Sequence, residues 1–205
     1  MPDKYPNYQE LARSEQEGTD FVIRQAVRKT TSTLLLSPHA GRIEPGISEI
    51  ILIVADNDLS YYLFEGMKTQ GNKDLHITSP NFDEPRCLAL VGNSEMVIAL
   101  HGEHGEDKVV YVGGLDMRLR EHLKSALTAY NFIAREHAKP DLQGTSPRNI
   151  CNRGKTRAGV QLELSNGLRR SFFESLYADG QKKPTAQFYT FVEALRTGLG
   201  NVGTL

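Results

Sequence analysis

The residues with the most chemistry to offer are histidines and carboxylates placed at the ends of apolar runs. Leu34-Leu35-Leu36-Ser37-Pro38 leads directly into His39, and Val97-Ile98-Ala99-Leu100 leads directly into His101. Two strand-type segments therefore each end in an imidazole, where an open α/β sheet places its ligands. Glu44 follows His39 within the turn-forming segment Gly41-Arg42-Ile43-Glu44-Pro45-Gly46. A loop of that composition can curl until its carboxylate reaches the same point as the imidazoles. Two nitrogens and one carboxylate around Zn²⁺, with one position open for water, form the donor set of a catalytic zinc site rather than a closed structural one. The same set accepts other first-row metals, and the plainer reading is two loop residues with a hydrogen-bonded strand-end histidine.

The remaining histidines compete with this set. His101-Gly102-Glu103-His104 could supply a ligand pair by itself, but Gly102 suits a loop in which only His101 turns back to the sheet, leaving His104 exposed. His76 alternates within Asp74-Leu75-His76-Ile77-Thr78 as a strand histidine or a pocket wall, and His122 and His137 fall on a helix as solvated residues. Metal-assisted hydrolysis of an amide also needs a carboxylate that takes a proton from water and hands it to the leaving nitrogen. Val160, Leu162 and Leu164 alternate with Gln161, Glu163 and Ser165, so Glu163 faces away from the apolar side of its strand, either as that group or as a solvent-facing residue. Arg148, Arg153, Lys155, Arg157, Arg169 and Arg170 then surround Glu163 in sequence. Arginine holds carboxylates bidentately, so this stretch suits an anionic substrate, with Asn152 and Arg153 gripping one carboxylate beside Gly154; an ordinary solvated face is the alternative.

The elements that must position these groups alternate between strand and helix patterns, which predicts a layered α/β fold with a mixed, partly parallel central sheet flanked by helices. Strands are expected at Ser32–Ser37, Ser60–Glu65, Asp74–Thr78, Met96–Leu100, Val109–Val112 and Gly159–Leu164. Helices are expected at Glu84–Val91, Asp116–His137, Leu168–Tyr177 and Thr185–Leu199. Ser48–Ala55 reads as a buried helix with Ser48 as its cap, although its Ile and Val content also suits a strand.

Composition limits the alternatives. With 39% hydrophobic and 24% charged residues over 205 positions, the chain has the balance of a globular protein and is expected to form one catalytic domain over residues 1–205. Its 24 basic and 25 acidic side chains nearly cancel, which argues against a general nucleic-acid or membrane binder. No apolar run approaches the roughly 20 residues of a membrane span. Residues 1–20 are polar, without a basic segment leading into an apolar one, so no signal peptide is expected and the protein is cytoplasmic at synthesis. Cys87 and Cys151 are expected as free thiols.

The ordered blocks His39-Ala40-Gly41-Arg42-Ile43-Glu44-Pro45-Gly46, Ser48-Glu49-Ile50, Tyr61-Tyr62-Leu63-Phe64-Glu65-Gly66, Leu75-His76-Ile77-Thr78-Ser79, Ala99-Leu100-His101-Gly102, Val112-Gly113-Gly114, Asn152-Arg153-Gly154 and Gly159-Val160-Gln161-Leu162-Glu163-Leu164-Ser165 resemble the zinc-dependent poly-γ-glutamate hydrolases of bacilli and their phages. The resemblance runs over about residues 5 to 195. It implies a fold like that of the zinc carboxypeptidases and endo-acting cleavage of γ-linked glutamate chains. It implies one zinc held by His39, Glu44 and His101, with Glu163 as catalytic acid and base. It further implies a polymer substrate; apart from the resemblance, the chain is expected to be a monomer and to reach an extracellular polymer by release from the cell. Arg153 and Arg169 are then expected to hold the pendant α-carboxylates. Arg42 departs from the small residues of some relatives and is expected to add a carboxylate contact or to set chain-length preference. A zinc carboxypeptidase or N-acyl amino acid deacylase is the alternative on the same site, and a non-enzymatic nucleic-acid-binding accessory protein using the Arg148–Arg170 stretch is a second.

Overall fold

The computed structural model describes residues 3–178 and 180–200. Seven strands, β1 (Phe21–Ala26), β2 (Thr33–Gly41), β3 (Ser60–Gly66), β4 (Met96–Glu103), β5 (Val109–Gly114), β6 (Ile133–Arg135) and β7 (Val160–Ser165), form one sheet in the order β1-β3-β2-β4-β7-β5-β6. β3, β2, β4 and β7 run parallel in its centre, while β1 and β5 join antiparallel to β3 and β7. The mixed sheet expected from sequence is therefore present. The α-helices among the described residues are α1 (Tyr8–Leu11), α2 (Ile47–Ala55), α3 (Pro85–Asn93), α4 (Met117–Ala129), α5 (Asn166–Ser171) and α6 (Ala186–Gly200), with short 3-10 turns between elements.

The central strands are buried on both faces, which explains their near-continuous apolar sequences. In β2, Leu35 joins a core with Ile50, Val54, Leu123, Phe188 and Phe191 from α2, α4 and α6, whereas Leu34 and Leu36 join a second core with Phe64, Phe82, Cys87 and Val91. Cys87 and Cys151 are buried and free, as expected. No helix among the described residues is long and apolar enough to cross a membrane.

Several elements depart from expectation. The alternation in Asp74–Thr78 suggested a strand, but Asn72–Leu75 winds into a 3-10 turn after a left-handed Gly71, and His76 leaves it extended without joining the sheet. The long helix ends at Ala129 rather than His137, because Asn131 adopts φ 64° and sends Ile133–Arg135 into β6. α5 starts earlier and stops at Ser171: Ser165 caps it by accepting the Leu168 N–H. β1 went unread because it is an edge strand with half-exposed Val22 and exposed Arg24. The buried helix over Ile47–Ala55 is present, but Gly46 occupies its cap, and the Ser48 hydroxyl instead accepts the Gly41 N–H at 2.9 Å.

Candidate active site

β2 and β4 are hydrogen-bonded neighbours, and the chain leaves them in opposite directions: β2 passes through α2 to β3 on one side, while β4 pairs with β7 on the other. Such a reversal opens a crevice beyond the strand carboxyl ends. His39 and His101 stand there. One extra residue in β2 opposite β3, between Ser37 and Ala40, makes a bulge around Pro38, which has no N–H to give the ladder. Bulges of this kind re-aim a side chain, here that of His39.

His39 Nδ1 lies 3.0 Å from His101 Nδ1 and 3.3 Å from Glu44 Oε1, and His101 Nδ1 lies 4.0 Å from Glu44 Oε2. One donor atom from each of the three falls within 4.8 Å of the others. His39 Nε2 is 2.8 Å from the Ile77 carbonyl, which can only accept, so that nitrogen carries the proton and Nδ1 turns to the centre. His101 Nε2 meets Ser79 Oγ at 3.3 Å, and the Gly102 N–H holds Glu44 Oε2 at 2.7 Å. Burial opposes ionisation of Glu44, but the His39 ring beside it prevails and holds its pKa down to about 2. Burial, reinforced by His39, pushes His101 down to about 3. Against burial, Glu44 in turn raises the His39 pKa, so the carboxylate is balanced by a proton on that ring. A divalent cation would displace this proton and take an ionised carboxylate and two imidazole nitrogens as donors, so the residues fit the zinc site expected of them.

Glu163 stands opposite His101 in the β4–β7 register and lines the same cavity, of about 1080 Å³. It is buried, not solvent-facing. Burial first, then the negative charges of Glu44 and Glu103, raise its pKa well above the ordinary carboxylate range. Gln161 donates to its Oε1 at 2.8 Å. The cavity thus pairs a carboxylate held ionised with one inclined to keep a proton, the division of labour of acid–base chemistry.

The expected substrate contacts are placed differently. Arg169 is buried beneath the site and donates to the carbonyls of Leu164, Pro45 and Glu103 at 3.1, 2.8 and 2.9 Å. Gly102 lies within β4 and not in a loop, and a Cβ there would come within 2.7 Å of the guanidinium carbon, so a larger residue would have to push Arg169 off its carbonyls. Asn152 accepts from the Leu115 and Gly159 N–H groups and donates to the Gly144 and Ser146 carbonyls, which engages its whole amide. Arg153 donates to the Phe82 carbonyl at 3.1 Å, and the exposed Arg42 to that of Lys68 at 3.1 Å. None of these four lines the cavity. The basic stretch is long in sequence, but side-chain direction divides it between interior and surface. Lys4, Lys73 and Lys139 are the lysines on the cavity walls.

His76 is a cavity wall: its ring stacks on His39 with centroids 3.9 Å apart, and its Nδ1 meets Asp3 Oδ1 at 2.7 Å. His104 is exposed at the rim, as expected. His137 is buried in a turn, not solvated on a helix, and its Nδ1 accepts the Lys139 N–H. The Ile77 carbonyl and Gly102 N–H escaped sequence reasoning because backbone groups carry no residue-type signal.

Two imidazoles and two carboxylates gathered at the carboxyl edge of a parallel sheet form the centre of a metallohydrolase. The chain matches the family model of poly-γ-glutamate hydrolase over residues 5–194, and it belongs to that family. It is 39% identical over 198 residues to YmaC of Bacillus subtilis (strain 168), covering 96% of this chain and 83% of that one. Among solved structures, it superposes on a bacteriophage poly-γ-glutamate hydrolase with a TM-score of 0.93 at 33% identity, covering 98% of this chain and 99% of that one. A zinc-free form of YndL superposes with a TM-score of 0.90 at 38% identity, with the same coverage.

Proposed function

We propose that the chain is an endo-acting hydrolase of the γ-glutamyl amide bonds of poly-γ-glutamate, with residues 1–205 acting as one catalytic unit that uses one zinc ion. The convergence of His39, Glu44 and His101 beside Glu163 in one cavity carries this reading. The zinc-free designation of the similar YndL structure favours zinc. Bound to these three side chains, the ion supplies Lewis-acid polarisation of the scissile carbonyl and a lowered pKa for the attacking water.

Everything else falls to the protein. Glu163, in the ionised form that a cation at the crevice would favour, accepts the proton of the attacking water and returns it to the leaving nitrogen; burial raises its affinity for that proton. Ile77, Ser79, Gly102 and Arg169 keep the ligand side chains and their loop in place. Lys4, Lys73 and Lys139 on the cavity walls meet the pendant α-carboxylates, replacing the arginines in that task. A cavity of about 1080 Å³ accommodates several glutamyl units, which favours internal cleavage over removal of a terminal residue.

Viscosity of a long polymer, followed together with free glutamate, tests the proposal. Viscosity should fall before glutamate appears, stop falling after chelation and resume with added zinc. Early glutamate release at persisting viscosity would instead identify an exopeptidase, and indifference to chelation would remove the metal.

A further inference from the structure

Gln161 is 3% exposed and lies on the same face of β7 as Glu163. Its amide nitrogen donates to Glu163 Oε1 at 2.8 Å and to the Leu142 carbonyl at 3.3 Å, and its oxygen accepts from Asn149 Nδ2 at 2.7 Å. A carboxylate and a carbonyl can only accept, so these partners fix which way the amide faces. Asn149 is itself fixed, because its Oδ1 accepts the Cys151 N–H at 3.1 Å. Leu142 and Asn149 bracket a stretch that forms one wall of the cavity. Gly144 presses that wall onto Gln161: it has φ +65°, and a Cβ there would sit 2.8 Å from the Gln161 Cβ. Asn152 anchors the same stretch through the carbonyls of Gly144 and Ser146 at 2.7 and 2.9 Å.

We propose that Gln161 is a positioning residue that couples the cavity wall at 142–149 to Glu163. It holds one carboxylate oxygen against the protein and leaves the other to exchange a proton with water on the substrate side. It is itself held only while the wall is seated. The wall that contacts substrate thereby governs the aim of the group that moves the proton. This inference rests on the reading of Glu163 given above.

The test uses the full zinc-loaded chain and compares Gln161→Leu and Gly144→Ala, the latter displacing Gln161 without altering its chemistry. Each is made alone and in a Glu163→Gln background, with kcat, KM, zinc content and melting temperature measured. Losing a hydrogen bond to a charged group predicts a kcat about ten- to a hundredfold lower in either single variant with zinc content unchanged, and an unchanged KM in Gln161→Leu; Gly144→Ala also shifts the wall that meets substrate and is read on kcat alone. Combined with Glu163→Gln, neither substitution should lower residual turnover further, since its effect runs through that carboxylate. An unchanged kcat in Gln161→Leu, or an equal loss in both backgrounds, would overturn the inference while leaving the role of Glu163 intact. Full turnover in Glu163→Gln alone would overturn that role and the inference together.

Discussion

Glu44, partly buried, and Glu163, buried, are carboxylates of one cavity, yet the crevice between β2 and β4 and the flank of β7 treat them in opposite ways. At the crevice, the positive charge His39 takes up beside it and the Gly102 N–H hold Glu44 ionised at a pKa of about 2. On the flank, Glu163 meets a neutral amide and the charges of two other carboxylates, and its pKa rises. Burial acts on both; the sign of the neighbouring charge decides the outcome. The crevice is built to hold a cation and the flank to handle a proton.

The largest effect should come from the crevice itself. His101→Ala removes one of three converging donors and should reduce polymer cleavage to background, read by viscosity with zinc content measured in parallel. Arg169→Ala strips partners from three carbonyls beneath the crevice and should cost about 3 kcal/mol, lowering the melting temperature by roughly 6–12 °C. Glu15 provides a carboxylate outside the cavity that is also held down, against the pull of burial, by Lys68 and Tyr5. Its folded pKa lies below its unfolded value, so its contribution is complete above the ordinary carboxylate range and lost as pH falls through the folded value. Glu15→Gln should therefore cost about 2 kcal/mol at neutral pH, and urea midpoints of variant and parent should converge in acid. Ser79→Ala frees the far nitrogen of His101 and should weaken zinc affinity about tenfold, measured by competition with a chelator. The smallest effect belongs to the cavity wall, where Lys73→Ala should raise KM only about two- to fivefold.

The part of this site that was legible in the sequence is the part fixed by periodicity. The apolar runs ending in His39 and His101 read as buried strands, and as parallel neighbours they bring their carboxyl ends together. Alternation along β7 placed Glu163 on the polar face, although not that this face is buried. Arginine roles were not legible, because a long flexible side chain can reach either surface or interior from one backbone position. Arg169 turns inward to three carbonyls and Arg153 to one, and three of these four acceptors, Pro45, Glu103 and Phe82, are distant in sequence. The segment at 74–78 has strand alternation but pairs with no strand, so the 3-10 turn at Asn72–Leu75 and the Ile77 carbonyl behind His39 emerge only from tertiary packing.

The division between the two carboxylates is tested most directly by zinc stoichiometry measured beside polymer cleavage in Glu44→Gln and Glu163→Gln. Glu44→Gln should lose both zinc and cleavage, while Glu163→Gln should keep about one zinc per chain with turnover lowered by roughly 10²–10⁴-fold. Loss of zinc from Glu163→Gln, or full cleavage by either variant, would contradict the assignment of cation holding to one carboxylate and proton transfer to the other.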